Sequence, residues 1–209
     1  MANIKKAIFT HAAAPLLRSI ASFWYERKYL QGRYFDCSLI GWWWVLRGVF
    51  IQKIIGFNRH VPWPIAPANA IDDPAGIFFH PDDLQNFMHH GCYFSNVGGG
   101  KITIGKGTLI APNVGIVTTN HALNVTQGHS VPLDISIGER CWLGMNSVIL
   151  PGVCLGENTV VAAGSVVTKS YPEGWCVLAG APARALKLIE RPAPTLVGHL
   201  PVCPDEVGH

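Results

Sequence analysis

Residues 137–168 read IGERCW LGMNSV ILPGVC LGENTV VAAGSV VT, and an aliphatic side chain leads each block of six. The leading residues are Ile137, Leu143, Ile149, Leu155, Val161 and Val167. The same spacing holds upstream at Ile104, Ile110 and Ile116. The residue four places after the leading one is small in seven of these nine blocks.

A six-residue period of this kind is typical of a chain wound into coils of three short strands and three corners. Each strand turns one aliphatic side chain inward, and each sharp corner favours glycine or another small residue. Stacked coils then bury one continuous core. The period predicts an all-β fold, a parallel β-helix, and it excludes a sandwich or a barrel, which would not keep this phase.

Two stretches depart from the period. Residues 83–101 include Gly98-Gly99-Gly100 and predict an irregular coil with a loop. Residues 122–134 predict a loop that leaves one corner, and such loops often carry function. A weaker trace of the period precedes both stretches, at Ile65, Ile71 and Ile77.

Charge and composition divide the chain into three parts. Residues 1–60 have a net charge of +7 and the rest −4, so we expect a basic extension on a β-helix over 61–190. The sequence pattern of the extension predicts two helices, Pro15–Gln31 and Ser38–Ile55. The second contains Trp42-Trp43-Trp44. Residues 191–209, with four prolines, predict an irregular tail.

The second predicted helix leaves two interpretations open. With fewer than ~20 apolar residues and several polar interruptions, it is too short to span a bilayer. It could lie in the membrane interface, where tryptophan and basic residues are favoured, giving a peripheral membrane contact through residues 1–58. Alternatively, it packs against the β-helix or a partner subunit.

Composition excludes several classes of protein. A hydrophobic fraction of 49% and a charged fraction of 14% exclude a disordered chain, and a net charge of +3 does not suggest a nucleic-acid partner. The six cysteines form no CxxC pair, which predicts free thiols in a reducing compartment. Because the N-terminus makes a poor signal peptide, we expect a cytoplasmic protein.

The segment Thr119-Asn120-His121-Ala122-Leu123-Asn124 resembles the histidine segment of the maltose and galactoside O-acetyltransferases, which are hexapeptide-repeat acyltransferases. In that family the histidine deprotonates the acceptor hydroxyl, a role that suits a group with a pKa near neutrality. The resemblance implies that His121 is the general base and that Asn120 beside it contacts the substrate. It also implies a left-handed β-helix, of about five coils.

Two further segments resemble the coenzyme A groove of this family. Cys141-Trp142-Leu143-Gly144 resembles the stretch beside the pantetheine arm, which implies that the Met145 backbone N–H stabilises the oxyanion. Residues 162–169 and 178–184 resemble the remainder of the groove. The implied cofactor contacts are Trp142, Gly144, Ala162, Ala163, Thr168, Lys169 and Arg184. Of these, the cations Lys169 and Arg184 would bind the phosphates of coenzyme A.

One further position and one rival site complete the candidates. Asn96, in Tyr93-Phe94-Ser95-Asn96, resembles an acceptor-binding asparagine of the galactoside enzymes, although the neighbouring spacing differs. The pair His89-His90 could suggest the zinc site of γ-class carbonic anhydrases, which share the fold. His121 and His129 are, however, eight positions apart instead of that family's five, so we expect no metal.

The resemblance covers about residues 60–190 and implies an acetyl-CoA-dependent O-acetyltransferase. The acceptor would be a hydroxyl of a sugar, glycolipid or polysaccharide precursor. The family implies a homotrimer with active sites between subunits. Two alternatives remain open: an acyltransferase with an amino-sugar or antibiotic acceptor, and a non-catalytic trimeric scaffold.

Overall fold

A computed structural model describes residues 13–120 and 131–191. His121, His129 and most of the predicted loop over 122–134 lie outside these residues, as do residues 1–12 and the predicted tail beyond residue 191.

Most of the described chain after residue 69 consists of very short strands separated by tight corners. The strands are β1 (Ala70–Ile71), β2 (Ile77–Phe78), β3 (Tyr93–Ser95), β4 (Ile102–Ile104), β5 (Leu109–Ile110), β6 (Gly115–Val117), β7 (Ile135–Ile137), β8 (Trp142–Leu143), β9 (Val148–Ile149), β10 (Cys154–Leu155), β11 (Val160–Val161), β12 (Val166–Val167), β13 (Cys176–Gly180) and β14 (Ala183–Leu188). Short 3₁₀ helices at Pro74–Gly76 and Pro81–Phe87 interrupt the early coils.

The strands form three sheets, each built from one strand of every successive coil. Sheet A has the order β1-β3-β6-β9-β12, sheet B the order β2-β4-β7-β10, and sheet C the order β5-β8-β11-β13-β14. Every pairing is parallel except the antiparallel hairpin of β13 and β14. These stacked sheets form the predicted parallel β-helix.

The nine aliphatic residues that lead the six-residue blocks form the core of this β-helix. Each is at most 3% exposed, and they stack in register, as Ile116 does between Phe94 and Ile149. Complete burial of one such side chain stabilises the fold by roughly 1.5–3 kcal/mol. The small residues four places later are buried as well, including Thr108, Ser147 and Thr159.

Glycines at the corners between sheets B and C let the coils touch through their backbones. A Cβ on Gly105 would lie 2.5 Å from the backbone nitrogen of Glu139, and one on Gly138 would lie 2.5 Å from that of Glu157. A Cβ on Gly156 would lie 2.8 Å from the Cα of Gly174. No side chain fits at these distances.

The described N-terminal part folds as three α-helices, one 3₁₀ helix and one π-helix. These are α1 (Ala14–Ala21), the 3₁₀ helix Arg27–Tyr29, α2 (Arg33–Asp36), α3 (Ile40–Gly48) and the π-helix Val49–Ile55. The π-helix ends at Gly56, whose φ of +111° is the left-handed conformation expected of a glycine stop. No helix within residues 13–120 and 131–191 has the length and apolar character needed to cross a bilayer.

The prediction of one helix over Pro15–Gln31 is wrong after Ala21. The chain turns at Ser22, whose hydroxyl donates to the carbonyl of Ser19 (2.7 Å). This turn allows Tyr25, Tyr29 and Leu30 to be buried together, which one straight helix would prevent.

A buried glutamine joins this part to the segment that leads into β1. The Tyr25 hydroxyl donates to Oε1 of Gln52 (3.1 Å), and Gln52 Nε2 donates to the carbonyls of Val61 (2.9 Å) and Trp63 (3.1 Å). Burial raises the pKa of Tyr25 well above its usual value.

The expectation of free cysteines holds at four described positions and fails at a fifth. Cys92, Cys141, Cys154 and Cys176 are free thiols, and burial raises the pKa of Cys92 and Cys141. Cys37 is disulfide-bonded.

We expect Gly138→Ala to lower the free energy of unfolding by about 2–4 kcal/mol, because the added methyl group would separate two stacked coils. Gly115→Ala is the matched control, since its Cβ would lie 3.6 Å from the Val148 side chain, an ordinary contact. Urea unfolding at one protein concentration measures both. Equal stability of the two variants would contradict the role assigned to these corners.

Candidate active site

The corner that follows β6 leads into the segment with His121. Thr118 is buried there, and its backbone N–H and its hydroxyl both donate to the carbonyl of Ser95 (2.9 and 3.3 Å). The Leu133 N–H donates to the Thr118 carbonyl (2.8 Å), so the chain leaves and rejoins the β-helix at one point. Asn120 is exposed at the edge of this corner.

The glycine stretch that departs from the six-residue period packs beneath this corner. A Cβ on Gly100 would lie 2.5 Å from the Thr118 hydroxyl oxygen, and one on Gly98 would lie 3.4 Å from Pro132. Gly98 and Gly99 have φ of +84° and +93°, a conformation that glycine adopts without strain. The glycines thus let residues 98–100 lie against both ends of the segment between Thr118 and Leu133, which we call the excursion.

Asn96 lies at the same edge but is held inside the subunit. It is 1% exposed, and its side-chain oxygen accepts from the Asp73 N–H (2.9 Å) while its amide donates to the Asp73 carbonyl (2.8 Å). The amide that the sequence suggested for substrate binding is therefore engaged by neighbouring backbone.

The structure adds a carboxylate that the sequence analysis did not single out. Asp72 directly follows β1, and its Oδ2 accepts a hydrogen bond from the Ser95 hydroxyl (2.7 Å). The register of Ile71, Phe94 and Ile116 places Asp72 beside the end of β3, one strand from the His121 corner. The period at Ile71 was the available signal, but it was too weak to assign this strand.

A second group of candidate residues lies at the corner between sheets C and A. Met145 occupies the second position of a turn closed by Ser147 N–H donating to the Gly144 carbonyl (3.2 Å), with Asn146 at φ +58°. Its carbonyl accepts from the Gly164 N–H (2.8 Å). Within the described residues its own N–H has no acceptor, so this donor is available to a ligand.

The same arrangement repeats one coil later. Ser165 N–H closes a turn on the Ala162 carbonyl (3.3 Å), Gly164 has φ +70°, and the Ala163 N–H finds no acceptor in the described part of the chain. Ala163 is exposed and Ala162 half-buried. The corner thus presents two stacked backbone donors beside small side chains.

Trp142 and Gly144 flank this corner in different ways. Trp142 is 54% exposed on β8 and lies between Leu109 and Val160 on the outer face of sheet C. Gly144 is buried, and a Cβ there would lie 2.6 Å from the backbone nitrogen of Ala163. Gly144 is therefore required by coil stacking, whereas Trp142 offers an aromatic surface.

The predicted phosphate-binding cations lie on two different elements near the C-terminal end of the β-helix. Thr168 and Lys169 are exposed where the chain leaves β12 toward sheet B. Arg184 lies on β14, at the outer edge of sheet C, and donates to the Ala183 carbonyl (2.8 Å). Neither cation pairs with a carboxylate among the described residues.

The two groups of candidate residues lie on opposite edges of sheet A. Thr118, Asn120 and Asn96 follow strands of sheet A toward sheet B, whereas Met145 and Ala163 precede strands of sheet A on the side of sheet C. A single chain therefore does not place them around one cleft. Residues 13–120 and 131–191 contain no group of three or more metal-binding side chains.

The chain is similar to one family model and to several named proteins. The family model described as bacterial transferase hexapeptide (six repeats) matches residues 134–169. A Schizosaccharomyces pombe protein, provisionally named as an acetyltransferase, is 32% identical over 147 residues, 69% of this chain and 68% of that protein.

Two Escherichia coli K12 proteins match shorter stretches. The galactoside O-acetyltransferase is 42% identical over 91 residues, 42% of this chain and 44% of that protein. A protein provisionally named as a lipopolysaccharide biosynthesis O-acetyl transferase is 36% identical over 126 residues, 54% of this chain and 61% of that protein. The chain thus spans about half the length of these two relatives.

We expect Asn96→Ala to lower the free energy of unfolding by about 1–3 kcal/mol, because it leaves the Asp73 N–H and carbonyl without their partner. Asn96→Asp keeps the acceptor but puts a buried carboxylate oxygen against the Asp73 carbonyl, so we expect it to lose at least as much. Urea unfolding measures both variants. Unchanged stability of Asn96→Ala would mean that the amide serves another purpose than holding Asp73.

Proposed function

Because the chain belongs to the hexapeptide-repeat family of acetyltransferases, we propose that it transfers an acetyl group from acetyl-CoA to a hydroxyl of a sugar, glycolipid or polysaccharide precursor. The fold of this family is the left-handed β-helix, to which the three stacked parallel sheets correspond. The observation that carries the proposal is the free Met145 N–H in a turn beside the exposed Trp142.

In this proposal His121 is the general base. It lies three residues beyond Thr118, whose bond to Leu133 fixes the point where the excursion begins. A neutral imidazole takes the proton of the acceptor hydroxyl as the oxygen attacks the thioester carbonyl. The tetrahedral intermediate then collapses, the C–S bond breaks, and the imidazolium gives its proton to the departing coenzyme A thiolate. Asn120 contacts the acceptor, and Asn96 supports the corner through Asp73.

The corner between sheets C and A receives the acetyl thioester. The Met145 N–H donates to the oxyanion that forms when the carbonyl is attacked, and a fixed donor of this kind needs no reorganisation during the reaction. The pantetheine arm lies along Ala162 and Ala163, where small side chains leave the backbone accessible, with Trp142 at its side. Thr168, Lys169 and Arg184 bind the phosphate end.

We propose a homotrimer, because the corner that leads to His121 and the turn of Met145 lie on opposite edges of sheet A. A neighbouring subunit that brings its corner with Met145 against the edge that leads to His121 completes the site. Each active site is then built from two chains.

The proposed setting is the cytoplasmic face of a membrane, with a lipid-linked acceptor. The basic part of the chain supports a peripheral contact through residues 1–58, of which residues 1–12 lie outside the described structure.

The test of this function is coenzyme A release from acetyl-CoA in the presence of a panel of sugars and amino sugars. His121→Ala should lower acceptor-dependent release on the order of 10²–10⁴-fold, the usual effect of losing a general base. Equal rates in both proteins would rule out His121 as the base. Acetylation of amines alone would favour an amino-sugar acceptor, and absence of coenzyme A binding would favour a scaffold.

Met145→Pro tests the oxyanion donor, because proline lacks the N–H. The register of Ile110 with Leu143 places Pro112 at the same position one coil earlier, so proline fits this corner. We expect kcat to fall on the order of 10²–10³-fold, and Met145→Ala, which keeps the N–H, to remain near wild type. A fully active proline variant, folded by circular dichroism, would contradict the assignment.

A further inference from the structure

An apolar groove separates α1 from α3. It encloses about 520 Å³. Its walls are apolar or indole side chains, with Leu17, Ile20 and Trp24 on one side and Trp42, Trp43 and Leu46 on the other.

The side chains along this groove are exposed to an unusual degree. Ile20 is 54%, Trp43 64% and Leu46 65% exposed. Phe50 and Ile54 continue the row of Leu46 at intervals of four residues and are 59% and 63% exposed. Scattered apolar residues are common on protein surfaces, but a contiguous patch of this kind marks a contact surface.

A cationic recess of about 530 Å³ adjoins the groove. It is lined by Phe23, Trp24, Lys53, Ile54 and Arg59, and Trp24 lines both cavities. Within the described residues, the Lys53 ammonium donates only to the carbonyls of Arg59 (2.8 Å) and Val61 (2.7 Å). Burial and the neighbouring Arg59 charge lower the pKa of Lys53 to about 8, so an anion bound there would relieve an unfavourable pair of like charges.

The acidic residues of the surrounding surface are already paired with cations. Residues 13–60 contain seven Lys/Arg and two Asp/Glu. Both acidic residues form ion pairs nearby, Asp36 with Arg18 (2.5 Å) and Glu26 with Lys28 (2.7 Å). No ion pair joins Lys53 or Arg59 to a carboxylate within the described residues.

We infer that the groove and the recess together dock the protein on an anionic lipid surface, with the apolar row among the acyl chains and a lipid phosphate between Lys53 and Arg59. Aliphatic and tryptophan side chains beside cations are the composition that favours a membrane interface. A second copy docked symmetrically on this face would bring two basic surfaces together, which is unfavourable. The inference rests on the peripheral membrane contact proposed above and is independent of the transfer reaction.

The test is co-sedimentation of the full chain with vesicles of phosphatidylcholine alone or mixed equally with phosphatidylglycerol. We expect wild type to partition on the order of tenfold more strongly into the mixed vesicles, since cations near an anionic surface strengthen binding. Trp43→Ser with Leu46→Ser should lose at least about tenfold on the mixed vesicles. Lys53→Gln with Arg59→Gln should remove the preference for phosphatidylglycerol.

Matched controls alter equally exposed residues elsewhere. Leu186→Ser with Leu188→Ser removes two side chains that are 71% and 76% exposed on β14, and Lys101→Gln with Lys187→Gln removes two exposed cations. Both controls should bind like wild type, and thermal unfolding verifies that every variant is folded.

Three outcomes would overturn the inference. Wild type that sediments with neither vesicle would remove the membrane contact as a whole, whatever the enzyme's activity. Binding that is unchanged in the groove variant would leave a membrane contact but place it elsewhere. If the groove variant binds vesicles normally and only its oligomeric state falls, the groove covers a second copy of the chain.

Discussion

Backbone contact between coils at three corner glycines is the constraint on which the rest of the structure depends. Gly105, Gly138 and Gly156 leave no room for a side chain, so successive coils settle at one spacing and in one register. That register stacks the block-leading aliphatic residues into a continuous core. It also aligns Met145 with Ala163 along one corner, so the free donors of the candidate site are a by-product of how the coils stack.

The same stacking explains why the candidate site is divided. Each corner of the β-helix repeats along its own edge, and a residue cannot move from one edge to another without losing the period. The corner that leads to His121 and the corner of Met145 therefore stay apart in one chain. A trimer resolves this separation by symmetry, which brings different edges of identical subunits together. Assembly is then a condition of catalysis in the proposed mechanism.

The core was predictable from the sequence because a six-residue period maps directly onto buried positions, as at Ile149 and Val161. The end of the first helix at Ala21 was not, since it depends on burying Tyr25 and Leu30 against distant residues. Family resemblance located the corner of Met145, but only the structure shows which N–H groups there lack acceptors. It likewise shows that the Asn96 amide is engaged by Asp73. The role of His121 remains a prediction.

The bond between Thr118 and Leu133 has a consequence for how such a protein can diversify. This hydrogen bond holds the two ends of the excursion together. The coils before and after the excursion therefore stack in the same way whatever residues it contains. Lengthening a closed loop costs little, about 0.6 kcal/mol for each doubling. Insertions and replacements at this position are thus insulated from the folding of the β-helix. If His121 is the base as proposed, evolution can lengthen or replace the residues beyond it and alter the acceptor side of the site, while the base and the β-helix that binds acetyl-CoA are retained.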